Sequence, residues 1–376
     1  MKKQIYLDNA ATTQLDHRVA EVMTQLMQDE YGNPSSIHSY GRKMKVQVEA
    51  VRNLISGKLK VQPAEIFFTS GATEAINTII NGAVQKLGVE RIITSKIEHP
   101  AVISSVKYHA EVNNIELEYV DIDTQANIDL KHLRSLLTDE SKKTLVSLMH
   151  ANNELGNLLP IKKVSELCRA HSALLFSDTV QSMGKFANNL SGQLLDFAVS
   201  SAHKYHGPKG VGFMFINGDL KIDPYIIGGG QERNMRAGTE NVYGIVGMGK
   251  AFELAYEEME QNRTHILELK HYLIGCLQKE LPQIRFNGNI DGLHTVLNIG
   301  LPKNEHNDMI LMNLDIAGIA VSGGSACSSG SLHVSHVIEA LGLADEISAI
   351  RVSLSRQTTK EELGYFVDVL KNKARF

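Results

Sequence analysis

Between residues 65 and 216 the sequence alternates between short apolar segments and stretches of helix length. Segments rich in β-branched and aromatic residues are typical of buried strands. Seven such segments occur: Glu65–Thr69, Arg91–Ser95, Ile115–Asp121, Lys143–His150, Ala173–Asp178, Asp196–Ser201 and Val211–Ile216. The helix-length stretches between them include Thr73–Leu87, Ala101–Asn113, Asp129–Thr138 and Ile161–His171. This alternation predicts an α/β fold with a mostly parallel, seven-stranded sheet, whose ligands bind outside the carboxyl ends of the strands.

The pattern changes after about residue 244. Gly244–Gln278 predicts a long helical stretch with one small interruption, and Lys360–Lys373 predicts a final helix. Short strands are predicted between them, at His294–Gly300, Ile319–Ser322 and Ala349–Leu354. We therefore expect a large domain of residues 14–260 and a smaller α+β domain of residues 261–376, joined by an N-terminal segment, residues 1–13.

The composition is that of an ordinary globular protein and excludes several classes of function. Of the 376 residues, 43% are hydrophobic and 21% are charged, which argues against disorder. The net charge of −4, without a basic cluster, gives no reason to expect a nucleic-acid partner. No apolar run approaches the ~20 residues that span a bilayer, and the first residues lack the apolar region of a secretory signal. We therefore expect a cytoplasmic enzyme with no membrane partner.

The three cysteines are too few, and odd in number, for a disulfide framework, which agrees with a reducing compartment. Cys168 and Cys276 lie beside apolar residues at helical spacing, as core cysteines do. Cys327 instead stands in a run of glycine and serine, where no bulky neighbour could bury it. This setting favours an exposed loop thiol and a candidate nucleophile over the alternative, a small residue in a tight turn.

Polar side chains follow three of the predicted strands. Ser70-Gly71-Ala72-Thr73 leads from a strand into a helix, whose first N–H groups suit a phosphate; an ordinary hydroxyl-capped loop is the alternative. Asp178 ends another strand, either as a ligand-facing carboxylate or as an N-cap. Lys204 follows a third strand, either as a Schiff-base lysine or as a solvated loop lysine. A phosphate cup, a carboxylate for a pyridinium nitrogen and a reactive amine are together the parts that hold pyridoxal 5′-phosphate.

An ordered series of motifs resembles the cysteine desulfurases of the NifS/IscS-like class. These proteins have the pyridoxal-phosphate-dependent transferase fold, also called the aspartate aminotransferase-like fold. The series comprises Tyr6–Thr13, Gly32–Ser36, Thr69–Glu74, Ile97–His99, His150–Gly156, Asp178–Gln181, Ser201–Lys204, Gly228–Glu232, Arg236–Glu240, the Ser325-Ala326-Cys327 loop and Arg351–Arg356. The resemblance implies a pyridoxal 5′-phosphate enzyme that converts L-cysteine to L-alanine and passes the sulfur to a persulfide on Cys327.

The same resemblance implies a role for each matching side chain. Lys204 would form the Schiff base and remove the Cα proton, while Asp178 would keep the ring nitrogen protonated. His99 would stack on the ring and move protons, and Arg351 would bind the substrate carboxylate. The other substrate-binding residues would be Asn33 and Asn153, and the other cofactor-binding residues would be Ala72, Thr73, Asn153, Gln181, Ser201, His203 and Thr239.

Partners follow from the resemblance as well. A threonine at the position of Thr239 reaches the phosphate of the neighbouring subunit in this family, which implies a homodimer. Gln181 would hydrogen-bond the phenolic oxygen of the cofactor. The sulfur would go to an acceptor protein in iron–sulfur cluster assembly, tRNA thiolation or cofactor biosynthesis. No motif has the spacing of a metal site.

Three other functions remain open at this point. A class V aminotransferase would use the same lysine and aspartate but would need no exposed cysteine. A selenocysteine lyase would use the same site and prefer selenium. A non-enzymatic sulfur-relay or scaffold protein would keep Cys327 without needing the full set of cofactor-binding residues.

Overall fold

The structure is a computed structural model, and it describes residues 4–324 and 335–376. Within these ranges the strands are β1 (Ile5–Tyr6), β2 (Ile66–Thr69), β3 (Arg91–Thr94), β4 (Glu116–Tyr119), β5 (Thr144–Ser147), β6 (Leu174–Asp178), β7 (Phe197–Ser201), β8 (Gly212–Ile216), β9 (Arg285–Asn287), β10 (Val296–Pro302), β11 (Ile319–Ala320) and β12 (Ile347–Ser353). The α-helices are α1 (His17–Asp29), α2 (Ser39–Leu59), α3 (Ala72–Gln85), α4 (Pro100–Asn113), α5 (Leu130–Leu137), α6 (Ile161–Ala170), α7 (Val242–Glu257), α8 (Met259–Glu280), α9 (Glu305–Asp308), α10 (Ile310–Ile316), α11 (His336–Ala340) and α12 (Lys360–Lys373).

The largest sheet has seven strands in the order β2-β8-β7-β6-β5-β3-β4. The pairs from β7 to β4 are parallel, while β8 runs antiparallel to both of its neighbours. Each of the seven predicted strand segments contains one of these strands, and each of the four predicted helical stretches contains or overlaps one of α3 to α6. The prediction of an α/β fold with a mostly parallel sheet is therefore confirmed.

Helices cover both faces of this sheet. Along β6, Leu175 packs in one apolar cluster and Phe176 in another, because successive side chains of a strand point to opposite faces. Helices α1, α2 and α7 supply the first cluster, while α3 and α4 supply the second. Burial on both faces explains why the strands have continuous apolar sequences rather than alternating ones.

A second, antiparallel sheet has three strands in the order β12-β10-β9 and packs against α8 and α12. A small interruption between α7 and α8 agrees with the one predicted in Gly244–Gln278. Two strands of this part were not predicted, β1 and β9, because two or three residues are too few for a periodic pattern to emerge. The division into domains of residues 14–260 and 261–376 stays a prediction.

The N-terminal segment leads from the second part of the molecule to the large sheet. Ile5 and Leu7 pack in the apolar cluster of the second part, and β1 pairs with β11. Asn9 then donates its side-chain N–H to the Ser353 carbonyl at 2.8 Å, and the Thr13 hydroxyl donates to the His203 carbonyl at 2.9 Å. This path places residues 9–13 against the end of β7.

A cluster of ion pairs follows this N-terminal segment. Asp16 caps α1 and accepts hydrogen bonds from Arg18 and Arg356, and both arginines also pair with Glu258 at 2.6 Å. The two arginines hold the pKa of Asp16 well below its usual range, with the Arg18 hydrogen bond as the largest cause. In the part of the chain that the structure describes, no helix is both long and apolar enough to cross a membrane.

Candidate active site

A cavity of about 450 Å³ lies at the carboxyl ends of β2, β6 and β7. These strands point the same way, so the residues that follow them meet at one edge of the sheet. Most of the predicted site residues line this cavity: Ala72, Thr73, His99, Asn153, Asp178, Gln181, Ser201, His203, Lys204 and Arg351.

Three predicted site residues do not line the cavity. Asn33 is exposed, and its side-chain oxygen accepts a hydrogen bond from the Ser35 N–H at 2.9 Å. Thr239 lines a neighbouring cavity of about 230 Å³, which shares Ser70 and Gly210 with the first. Cys327 lies outside the residues that the structure describes.

One end of the cavity is built to bind an anion. The chain turns from β2 into α3 through Gly71, whose φ of +151° is a conformation that other residues rarely adopt. Ala72 and Thr73 then open a helix of 14 residues, whose first N–H groups carry partial positive charge. Ser201 and His203 line the same cavity from the end of β7. Burial, with the charges of nearby lysines, lowers the pKa of His203 to about 4, so its imidazole is neutral at pH 7.

Asp178 is the last residue of β6 and is buried. One carboxylate oxygen accepts a hydrogen bond from the Val180 N–H at 2.9 Å. Burial raises the pKa of Asp178 to about 6, although that hydrogen bond and the charge of Lys204 oppose the shift. The carboxylate therefore lacks a full counter-charge among the described residues, as expected of a group that awaits a cationic ligand.

We expect Asp178→Asn to raise the free energy of unfolding of the cofactor-free protein at pH 8 by about 2–3 kcal/mol, because the neutral amide avoids the cost of a buried carboxylate charge. Because the pKa of Asp178 is raised in the fold, its ionisation lowers stability as the pH rises from about 4 through about 6. The gain should therefore vanish below pH 4. Urea unfolding at several pH values measures it.

The same variant should bind pyridoxal 5′-phosphate more weakly than the wild type. Asp196→Asn is the matched control, since Asp196 is also buried and accepts a backbone hydrogen bond, from Leu175, but does not line the cavity. Equal cofactor affinity in the Asp178 and Asp196 variants would contradict the assignment of Asp178 to the ring nitrogen.

His99 is held in one tautomer. It caps α4, and its Nδ1 accepts a hydrogen bond from the Ala101 N–H at 3.1 Å, so the proton of the neutral ring lies on Nε2. Burial, together with the positive charge of Lys204, lowers the pKa of His99 to about 4. The neighbouring Glu98 is buried, accepts a hydrogen bond from the Met149 N–H at 2.9 Å, and has its pKa raised well above the usual range by burial. His99 therefore presents a neutral N–H donor.

Lys204 closes a short turn after β7 and reaches the N-terminal segment. Its Nζ donates to the carbonyl oxygens of Ala10 and Ala11 at 2.7 and 2.8 Å. Gln181 also donates to the Ala10 carbonyl, through Nε2, at 2.9 Å. The two alanine carbonyls thus fix the position of the amine. They were not predicted as site groups, because a backbone carbonyl has no residue-type signal, although they lie within the Tyr6–Thr13 motif.

Arg351, on β12, is 1% exposed and reaches the cavity from the second sheet. Its Nη2 pairs with Asp8 at 2.7 Å, and its Nη1 donates to the Asn153 carbonyl at 3.1 Å. The buried Nε has no hydrogen-bond partner among the described residues. An unpartnered buried guanidinium N–H indicates a binding position for a small anion such as a carboxylate.

The set of side chains fits pyridoxal 5′-phosphate. The cavity offers an amine, a buried acid with an elevated pKa, an anion-binding helix start and a neutral imidazole. These are the groups that this cofactor requires for its aldehyde, ring nitrogen, phosphate and ring face. Among residues 4–324 and 335–376, no group of three or more histidine, cysteine, aspartate and glutamate residues could hold a metal ion.

Comparisons with known proteins agree with this geometry. The class-V aminotransferase family model matches residues 5–366. The chain is 40% identical to the cysteine desulfurase IscS of Dictyoglomus turgidum, over 98% of this chain and 94% of that protein. It is 41% identical to the cysteine desulfurase IscS of Klebsiella pneumoniae subsp. pneumoniae, over 99% and 93%.

Solved structures give the same result. A NifS-like protein superposes with a TM-score of 0.90 at 35% identity, over 98% of this chain and 99% of that one. The NifS-like protein of Rickettsia africae has a TM-score of 0.89 at 33% identity, over 98% and 99%. The chain therefore belongs to the class-V aminotransferase family and, within it, to the cysteine desulfurases of the NifS/IscS-like class.

Proposed function

We propose that the protein is a pyridoxal 5′-phosphate-dependent cysteine desulfurase. It converts L-cysteine to L-alanine, and the sulfur passes to Cys327. The observation that carries this proposal is the meeting of Lys204, Asp178 and Arg351 in one cavity, with the Arg351 Nε unpartnered. The cysteine desulfurase relatives, similar over nearly the whole chain, support the same activity.

Each end of the cofactor has residues suited to hold it. The first N–H groups of α3, with Ser201 and His203, would hold the phosphate, and Asp178 would hold the ring nitrogen. Gln181 would donate to the phenolic oxygen, and His99 would lie on the ring. The bound cofactor supplies an aldehyde that takes up an amine and a protonated ring that accepts the electron pair left at Cα.

Arg351 orients the substrate. Lys204 and His99 transfer its protons, and Cys327 accepts its sulfur. Arg351 binds the α-carboxylate, and the Lys204 amine takes the Cα proton. His99 can donate the proton that it carries on Nε2. The Cys327 sulfur forms a bond to the substrate sulfur as the substrate carbon–sulfur bond breaks. One L-cysteine and one thiol thus give one L-alanine and one persulfide, and no external oxidant is needed.

Arg351→Lys should raise the KM for L-cysteine by about 100-fold, with a smaller effect on kcat. A lysine ammonium is a point charge, so it cannot hold Asp8, the Asn153 carbonyl and a carboxylate at once. Steady-state kinetics of alanine formation measure the change. Arg285→Lys is the control, since Arg285 is a partly exposed arginine of the second sheet outside the cavity. An unchanged KM would remove the carboxylate-binding role of Arg351.

We propose that the active form is a homodimer. Two observations support it: Thr239 lines a cavity that adjoins the first one, and large apolar side chains are exposed. Ile37 is 91% exposed, Ile227 is 86% exposed and Tyr31 is 74% exposed. Light scattering of the purified protein should give twice the mass of the chain. A monomeric mass with full activity would overturn this proposal.

The function is tested by incubating the purified protein with L-cysteine and a reductant and measuring alanine and sulfide. Equal amounts of the two products are expected. Exchange of amino groups with an added keto acid as the main turnover would indicate an aminotransferase instead. Much faster alanine formation from L-selenocysteine would indicate a selenocysteine lyase. Absence of alanine from both amino acids would remove the enzyme proposal altogether.

We further propose that the persulfide sulfur is delivered in the cytoplasm to an acceptor protein. The acceptor would belong to iron–sulfur cluster assembly, tRNA thiolation or cofactor biosynthesis. Cys168 and Cys276 carry free thiols, which supports a reducing compartment. Transfer of ³⁵S from labelled L-cysteine to candidate acceptors would identify the route.

A further inference from the structure

Lys185 is a partly buried lysine next to the candidate site, and no role has been assigned to it. It lies one helical turn after Gln181, in a tight run of turns that follows β6. Its Nζ donates to the backbone carbonyl of Gln181 at 2.9 Å and to the side-chain oxygen Oε1 of Gln181 at 3.2 Å. It does not line the 450 Å³ cavity but a smaller one, of about 60 Å³, which shares Ala10 and Lys204 with it.

Asp16, a carboxylate that lines the same small cavity as Lys185, is paired with Arg18 and Arg356. Among the described residues no carboxylate lies within ion-pair distance of its Nζ. Burial, with the nearby charge of Lys204, lowers the pKa of Lys185 to about 7. The histidines that share its cavity, His206 and His294, have their pKa lowered to about 4 and about 3 by burial, so they are neutral at pH 7. A lysine ammonium that is partly removed from water and has no ion-pair partner lowers the stability of the fold. Its hydrogen bonds offset part of that cost, which points to a role for them.

Those hydrogen bonds fix which way the Gln181 amide points. A charged lysine Nζ has donors and no acceptor, so while Lys185 carries its proton the oxygen of the amide faces it, as the 3.2 Å contact shows. The amide nitrogen is thereby turned the other way, where it donates to the Ala10 carbonyl at 2.9 Å, next to the Nζ of Lys204. The Ala10 carbonyl can only accept and so favours the same orientation, and loss of Lys185 would remove one of the two contacts that fix it.

We propose that Lys185 is a positioning residue that holds the Gln181 amide in this orientation, in which Nε2 has a second N–H for the ring oxygen of the bound cofactor. This inference rests on the proposed function, because it assigns Gln181 to that oxygen. Lys185 acts through Gln181 and does not touch the cofactor itself. A purely structural role, in which Lys185 only ties down the turn through the Gln181 backbone carbonyl, is the competing explanation.

The test compares Lys185→Met, which keeps the length of the side chain, with Lys185→Arg, which keeps the donors. Cofactor-free protein is titrated with pyridoxal 5′-phosphate while the visible spectrum and the Tm are recorded. Lys185→Met should raise the Kd by about tenfold and shift the visible absorption maximum, and Lys185→Arg should restore both. Lys185→Leu replaces Lys185→Met if the latter does not fold.

Lys270→Met is the matched control. Lys270 is a buried lysine that, like the partly buried Lys185, has a lowered pKa and donates to a backbone carbonyl, that of Leu293 at 3.1 Å, but it lies outside the 450 Å³ cavity. We expect it to lower the Tm without changing the Kd or the spectrum. The same outcome for Lys185→Met would overturn the inference in favour of a structural role.

A double variant separates action through Gln181 from direct action. In a Gln181→Leu background, Lys185→Met should cause no further rise in the Kd, whereas additive effects would overturn the inference. Failure of the wild-type protein to develop a visible band with pyridoxal 5′-phosphate would overturn the proposed function and this inference together. A normal wild-type band with an unchanged Lys185→Met protein overturns the inference alone.

Discussion

Lys204→Ala should lower the rate of alanine formation from L-cysteine on the order of 10³-fold or more. Lys204 is the amine that the Ala10 and Ala11 carbonyls hold in the cavity with Asp178 and His99. The variant should also lose the cofactor linkage that borohydride reduces to a stable secondary amine. Mass spectrometry of the reduced protein measures this linkage independently of turnover.

The control for Lys204→Ala is Lys250→Ala. Lys250 pairs with Glu253 on α7 at 2.8 Å and does not line the cavity. It should keep wild-type activity and the wild-type mass shift after reduction. A borohydride-stable linkage that persists in Lys204→Ala would show that another lysine binds the cofactor, and Lys185 and Lys209 would be the first to examine.

Cys327→Ser should lower alanine formation by a factor on the order of 10³ or more, because a serine oxygen cannot take the substrate sulfur as a persulfide. Cofactor binding should stay at the wild-type level, since no cofactor role is assigned to Cys327. Quantification of alanine, together with detection of protein persulfide by alkylation and mass spectrometry, measures both losses.

The other two cysteines supply the controls for that experiment. Cys168 is buried in the core under α6, and burial, followed by the charge of Asp196, raises its pKa to about 12. Cys276 is partly buried against the apolar cluster of the second sheet. Since Cys168 is buried and neither cysteine lines the 450 Å³ cavity, Cys168→Ala and Cys276→Ala should retain activity. Wild-type alanine formation by Cys327→Ser would refute the persulfide mechanism.

The large sheet could be predicted from the sequence because its strands, apart from β4, are buried on both faces. Leu174–Asp178 and Phe197–Ser201 each begin with three consecutive apolar residues, and consecutive apolar residues are what burial on two sides requires. The short strands of the second part gave no comparable signal. Ile5–Tyr6 is a strand only because Ile319–Ala320 lies beside it, and no local pattern records so distant a partner.

Residues of the candidate site also differ in whether the local sequence predicts them. Asp178, Lys204 and the turn before α3 could be predicted because each follows an apolar strand. Arg351 required the resemblance, since nothing local marks one arginine on a strand of the second sheet as a ligand for an anion. The Ala10 and Ala11 carbonyls and Lys185 were missed, because their roles depend on contacts between segments rather than on residue type. Asn33 and Thr239 stay predictions, as they lie outside the cavity of this single chain.

The path of the N-terminal segment has a consequence for the order in which the protein matures. Residues 5–11 are synthesised more than 300 residues before Ile319–Ala320 and Ser353, with which they pair. Until then the alanine carbonyls that hold Lys204 lack their anchor. Contacts so distant in the chain form late in folding. A nascent chain halted before residue 319 should therefore contain a folded large sheet but fail to capture pyridoxal 5′-phosphate, so cofactor loading would wait for the synthesis of residues 319–353.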